Sequence, residues 1–237
     1  FNYSDNTLFT SIRSSTSDYI GDYGYKTNEN SISVGTTFEQ YENFYFSPSL
    51  LTSFETLETT SKASDNLKKQ KGDYFDAYFN YGIDYDLRNQ RYQASDGTRT
   101  YFSQQLPLIS EQNEIINTFE IAKYGTLPSD MVGKISFYSQ AANSLTDDDV
   151  RISKRLYIPY KKLRGFEKGK VGPKDGDDYV GGNFVSSINF SSTLPQVMPD
   201  YENADFLIFF DVANIWGVDY DSSLKDNDIR SSIGIGV

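Results

Sequence analysis

Apolar and polar residues alternate along much of this chain with a period of two. The clearest run is 73–87. Phe75, Ala77, Phe79, Tyr81, Ile83, Tyr85 and Leu87 fall on one face, and Tyr74, Asp76, Tyr78, Asn80, Gly82, Asp84 and Asp86 on the other. Successive side chains of a β-strand point to opposite faces. The spacing therefore predicts a strand with one apolar wall and one acidic, wet wall.

The same pattern recurs. Ile32, Val34, Thr36 and Phe38 oppose Ser33, Gly35, Thr37 and Glu39. Phe44, Phe46, Leu50 and Phe54 oppose Tyr45, Ser47, Ser49, Ser53 and Glu55. Phe184, Ile188 and Phe190 oppose Val185, Ser187, Asn189 and Ser191. In 205–217, Phe206, Ile208, Phe210, Val212 and Trp216 share a side, and Ile229, Ile233, Ile235 and Val237 alternate with polar or glycine positions. Weaker alternation marks 6–15, 98–106, 114–124 and 132–141, for about ten strands in all.

The predicted connections alternate in length. Short ones fall near Tyr41-Glu42, Ser95-Asp96-Gly97, Pro128-Ser129-Asp130 and 194–204, with an intermediate one at 107–113. Long polar ones cover 16–30, 57–72, 142–181 and 218–228. Short turns on one rim and long loops on the other is the arrangement of an outer-membrane barrel. A soluble β-sandwich shares the strand count. The charged tract 62–71 reads as a solvated loop.

Composition narrows the chemistry. The 237 residues carry 22 Lys and Arg against 33 Asp and Glu, for a net charge of −11. That balance argues against an electrostatic grip on nucleic acid. His and Cys are both 0, which removes disulfides, thiolate chemistry, the common zinc sites and every His-based catalytic triad. No phosphate-binding glycine loop occurs. No metal-site motif is read from these residues. Mean hydropathy is −0.55, yet there are 19 Tyr and 17 Phe against 1 Trp. No run approaches the ~20 apolar residues of a membrane helix, whereas alternating barrel strands average their hydropathy away. Asp147-Asp148-Asp149 and 175–178 lack the spacing of a calcium loop and read as solvated charge. The opening residues are polar, without a start Met or a secretory core. The expectation is a removed signal or an internal piece of a longer chain.

One constellation carries more. The segment 142–181 holds Leu163-Arg164-Gly165-Phe166, then Val171-Gly172-Pro173, and ends at Gly181-Gly182-Asn183. A strand later comes Phe209-Phe210-Asp211-Val212-Ala213-Asn214-Ile215-Trp216. These motifs, in this order, resemble the C-terminal half of the barrel of the bacterial outer-membrane protein assembly factor family, BamA. That family has a loop with V-R-G-F and I-G-P, a G-G-N opening the next strand, and an F-x-D-x-G-x-x-W strand. The likeness spans roughly 75–237, including 216–223, 229–232 and the stretch from Tyr85 to Gly97.

The resemblance implies an all-β, antiparallel transmembrane β-barrel of the outer-membrane type. Residues 1–237 would be a fragment of about ten strands with a long loop folded into the lumen. The family's periplasmic domains and terminal strands would be absent from it, because the family barrel has sixteen strands. It also implies that the loop Arg meets the strand Asp. Parity agrees, since Asp211 alternates with Ile208, Phe210 and Val212 and so points inward. A guanidinium fork matches a carboxylate bidentately. Gly165 permits close approach or a positive φ, and Phe166 would fill an apolar niche. Among the departures from the pattern, Leu163 replaces Val, Ala213 replaces Gly, and Asn189 replaces a Glu. The last leaves Asp211 as the one charged partner of Arg164 and argues against a three-membered network.

The implied function is an insertase without enzymatic activity, using neither a nucleotide nor a bound cofactor, located in the bacterial outer membrane. Its partners would be outer-membrane lipid, unfolded β-barrel clients and accessory lipoproteins. A weakly closed strand edge would pair with client strands, keeping backbone groups satisfied as they enter lipid. The alternatives are a two-partner secretion or related translocation barrel, a soluble secreted β-sandwich binding module, and a porin-like channel.

Overall fold

The computed structural model describes residues 6–19, 23–194, 206–224 and 228–236. Its elements in chain order are β1 (Thr7–Tyr19), β2 (Tyr25–Tyr41), β3 (Phe44–Thr59), α1 (Asp65–Lys69), β4 (Gly72–Asp86), β5 (Gly97–Ile109), β6 (Glu114–Thr126), β7 (Val132–Ser144), β8 (Lys174–Asp175), β9 (Asp178–Tyr179), β10 (Phe184–Thr193), β11 (Leu207–Trp216) and β12 (Arg230–Gly236). Ten strands form one antiparallel sheet in the order β1-β2-β3-β4-β5-β6-β7-β10-β11-β12. β8 and β9 make a separate small hairpin inside the long loop. Among the described residues β1 and β12 do not pair with each other, so the sheet is open there.

Period-two patterning sorts the two faces. Leu50, Phe54, Phe75, Ile135, Ile188 and Phe210 are exposed on one face, and no second layer covers them among the described residues. Such an uncovered apolar wall is not a sandwich interior; it is the lipid face of a barrel strand. The other face carries the polar positions. Ser53, Glu55, Tyr74, Asp76, Tyr138, Ser187, Asn189 and Asp211 are all buried there, beneath the loop that joins β7 to β10. That loop, 145–183, leaves the sheet and returns, so β7 and β10 pair directly around it.

Several sequence-based boundaries shift. The segment 16–30, read as a loop, is mostly strand. β1 runs to Tyr19 and β2 begins at Tyr25, with Thr16 Oγ1 donating to Asn28 Oδ1 at 2.8 Å. A bilayer needs only about 9–11 strand residues, whereas β2 has 17. The extra polar residues extend the ladder beyond the apolar band, and their polarity disguised them as loop. β5 likewise continues to Ile109, which leaves 110–113 between it and β6. The turn placed at Ser95-Asp96-Gly97 is instead the longer connection 87–96, pinned by Asp86 accepting from Arg88 Nε at 2.7 Å and by Asn89 Oδ1 accepting from Ser95 N at 3.1 Å. Most of the short turn at 194–204 and the terminal Val237 lie outside the described residues.

The tract 62–71 is not simply solvated. It contains α1, whose N-cap Ser64 accepts from Leu67 N at 3.3 Å. Ala63, Leu67 and Gln70 are buried, with Leu67 in a cluster that includes Tyr25, Leu57, Ile152 and Val180. One apolar residue among lysines does not announce itself by periodicity. It needs the loop 145–183 above it to become a core position.

Candidate functional site

The loop 145–183 is held on the inner face by apolar packing and by ion pairs. Val150, Leu156, Ile158 and Leu163 bury against Tyr138, Ala142, Val185, Ala213 and Ile215, with Phe166 and Val171 packed at the margin. Each fully buried aliphatic contributes about 1.5–3 kcal/mol over its exposed state. Ala213 is buried within this contact.

Arg164 sits at the loop tip. Its Nε donates to Asp211 Oδ2 and its Nη2 to Asp211 Oδ1, both at 2.7 Å. Its backbone N–H also donates to Oδ2, at 3.0 Å. The guanidinium lies over the Phe209 ring, 3.7 Å from its centroid. Phe209 and Asp211 are two apart on β11 and share its inner face, so one strand supplies both the anion and the ring. Asp211 is 0% exposed, while the Arg164 side chain retains 25%.

Asn189 corrects the two-membered expectation. Its Nδ2 donates to Asp211 Oδ1 at 2.9 Å and to the Lys162 carbonyl at 2.8 Å, while its own Oδ1 accepts from Ser187 Oγ at 3.0 Å. The network is three-membered, but Asn189 supports the carboxylate and the loop backbone instead of the guanidinium. An amide can do this because it both donates and accepts. Cross-strand register puts Asn189 directly opposite Asp211.

The glycine positions serve approach. Gly165 takes φ +84°, which turns the chain directly after Arg164. Gly172 takes φ +115°, and a Cβ there would stand 2.7 Å from Ile215 Cγ2. Only glycine lets the loop press so closely on β11. Pro173 accepts from Val180 N at 3.1 Å across the β8–β9 hairpin, and Gly182 exchanges two backbone hydrogen bonds with Leu156. Trp216 lies on the outer face, stacked on Phe184 at 5.7 Å, away from the Arg164 site.

Sequence reasoning missed a second cationic cluster. Arg155 donates to Asn183 Oδ1 at 2.9 Å and pairs with Asp219, and its guanidinium lies 4.9 Å from the Tyr220 ring centroid. Asp219 also accepts from Val150 N at 2.8 Å. The acidic 175–178 stretch is likewise engaged: Asp175 Oδ2 accepts from Ser64 Oγ at 2.6 Å and Tyr220 Oη at 3.1 Å. The loop is thereby joined to the connections on either side of it.

Burial raises the Asp219 carboxyl, but Arg155, the Val150 N–H and Asn183 together outweigh it and hold the group below its ordinary value. A carboxyl depressed in the folded state contributes stability above its unfolded pKa of about 4, and loses it as pH falls through the folded value. Lowering the pH from about 5 to about 3 is therefore expected to loosen this clamp. Hydrogen-exchange protection in 145–155, taken relative to the intrinsic rate at each pH, should fall over that window, and Asp219→Asn should flatten the dependence. An identical pH profile in Asp219→Asn would refute the linkage.

These features describe one wall of an outer-membrane-type β-barrel with a loop folded back against its inner face. Residues 1–237 match the Omp85 superfamily domain, and the chain belongs to that superfamily. Its structure is similar to that of BamA from Haemophilus ducreyi lacking POTRA domains 1–3, with a TM-score of 0.84 at 19% sequence identity. The match covers 97% of this chain and 52% of that one, so the chain spans about half the length of the BamA chain it matches. Family and fold point to the bacterial outer membrane, with lipid against the exposed apolar face.

Proposed function

We propose that this chain is the barrel portion of an assembly factor that folds and inserts β-barrel proteins into the bacterial outer membrane. The observation that supports the reading is the loop lock. Arg164, between Leu163 and Gly165, closes bidentately on Asp211 of β11, in the motif order that resembles the BamA family. A passive channel has no need of a buried ion pair that clamps its lumen loop to two adjacent strands.

The mechanism requires no enzyme chemistry and no cofactor. A client strand meets an open strand edge and exchanges backbone hydrogen bonds with it, so that polar groups are never bare in lipid. The lumen loop holds the sheet's inner wall while the seam opens. Unfolded barrel clients and accessory lipoproteins are the partners this reading assigns.

The test is complementation. The gene that encodes this chain, expressed in full, is placed in a strain depleted of its own assembly factor. Restored outer-membrane barrel content and growth are expected. Export of one cognate secreted partner without restored barrel assembly would overturn this reading in favour of a two-partner secretion transporter.

A further inference from the structure

We propose that Arg151 is a second positioning residue for the lumen loop, setting where Arg164 meets β11 from a distant part of the same inner wall. Its relevance to insertion rests on the function proposed above; its geometry does not.

Arg151 is 0% exposed. Its Nη2 donates to Asp76 Oδ2 at 2.5 Å, and its Nε lies 3.7 Å from Glu55 Oε2. The guanidinium stands over the Tyr74 ring, 4.1 Å from the centroid. Asp76 is completed on its other oxygen by Ser110 Oγ at 2.7 Å. The backbone is held as well: Arg151 N donates to Glu114 Oε1 at 3.3 Å, and Ile152 N to Gln70 Oε1 at 2.6 Å. Ser153 Oγ donates to Glu55 Oε2 at 3.1 Å, with Lys154 at 3.9 Å from the same oxygen. Three strands and the connection 60–71 thus converge on four consecutive loop residues.

Two arguments make this more than packing. A buried ion cluster is poorly suited to adding stability, because desolvation offsets most of the attraction; its best-attested role is to fix register. The location also matters. Arg151 is tied to β3, β4 and β6, whereas Arg164 is tied to β11 and, through Lys162 and Asn189, to β10. The segment between the two arginines therefore bridges inner-wall regions separated by β7 and, from β4, also by β5 and β6. Pinned at one end, this segment could slide along the wall; pinned at both, it acts as a strut. Arg151 Nε and Nη1 and Glu114 Oε2 have no hydrogen-bond partner among the described residues, so the buried charge depends on the close approach of Asp76 and Glu55 and is left uncompensated if the segment shifts.

The test uses the full-length protein that carries this chain, in liposomes, with spin labels at the exposed Lys161 and Glu111. The native protein should give one narrow distance distribution. Arg151→Gln should broaden it with Arg164 intact. Arg151→Lys should broaden it too, because a point charge lacks the fork and the ring stacking. If Arg151→Gln does not reach the folded form on an unboiled gel, Asp76→Asn, which keeps the Ser110 contact, is read in its place. A native-width distribution in the folded variant overturns the proposal. Assembly of a reconstituted client is the second readout. Arg151→Gln should slow it roughly fivefold to tenfold, the scale of coupling through positioned networks, with no further loss when combined with Arg164→Ala. A broadened distribution in a protein that never inserts clients, native or variant, would sink the insertase reading and leave the strut standing.

Discussion

Arg164→Ala is expected to lower the heat resistance of the folded protein and to release the loop tip to proteases. The size follows from what each partner would lose. Removing the Arg164 side chain leaves Asp211, which is 0% exposed, as a buried carboxylate without a counter-charge, held only by the Asn189 amide and the backbone N–H of residue 164. Breaking a buried pair in this way costs about 3–5 kcal/mol. The guanidinium itself is one-quarter exposed, so part of its attraction is screened by lumen water and the lower end of that range is expected. Asp211→Asn should be milder. It leaves a cation that can turn toward water, and a neutral amide whose oxygen can still accept from either the Asn189 Nδ2 or the Arg164 N–H, though not from both. The predicted order of melting is native, then Asp211→Asn, then Arg164→Ala. Unboiled-gel mobility against temperature measures it. Native melting in both Arg164→Ala and Asp211→Ala would show that the pair does not hold the loop.

Arg164→Lys is not a rescue on this view. An ammonium cannot serve both carboxylate oxygens while its own backbone N–H serves one of them, and it gives up the face-on contact with Phe209. The Asn189 amide is fixed in direction by Ser187 and by the Lys162 carbonyl. A substitution there should therefore weaken the lock without abolishing it.

What the sequence revealed follows from which interactions are local. Strand alternation needs only neighbours, so β3 and β4 were legible from Phe44, Phe54, Phe75 and Phe79 alone. Parity along β11 gave the inward direction of Asp211 before any coordinates. The motif order supplied its partner 47 residues away. The ends of β1 and β2 were not legible, because a ladder that runs past the bilayer loses its apolar half and then looks like loop. Gln70 and Leu67 were hidden in a lysine-rich tract, since their burial comes from a loop that folds over them. Arg151 was the least visible. Its anion is 75 residues away, and nothing in the local run DDDVRISK distinguishes a buried cation from a solvated one. The only available hint was that Glu55 and Asp76 fall on inward positions of adjacent strands and so require a counter-charge.

The second large effect tests the outer face. Ile188 lies at mid-length on β10, is 52% exposed, and stands between Phe137 of β7 and Val212 of β11 in the register. If that face meets water, Ile188→Arg changes an exposed side chain and should move stability by no more than about 0.5 kcal/mol. If it meets hydrocarbon, the guanidinium must reach a headgroup or thin the bilayer around it, at a cost of about 2–4 kcal/mol near the midplane. The two cases differ by several-fold in energy, which a urea titration of folding into liposomes resolves. Leu145→Arg is the matched control, because Leu145 is equally exposed but sits in the loop beyond the end of β7. A loss confined to Ile188→Arg is expected. It should grow in thicker bilayers, where snorkelling to either interface is harder. Equal, small effects at both positions would mean that the apolar wall faces something other than lipid, and the barrel reading would fall with it.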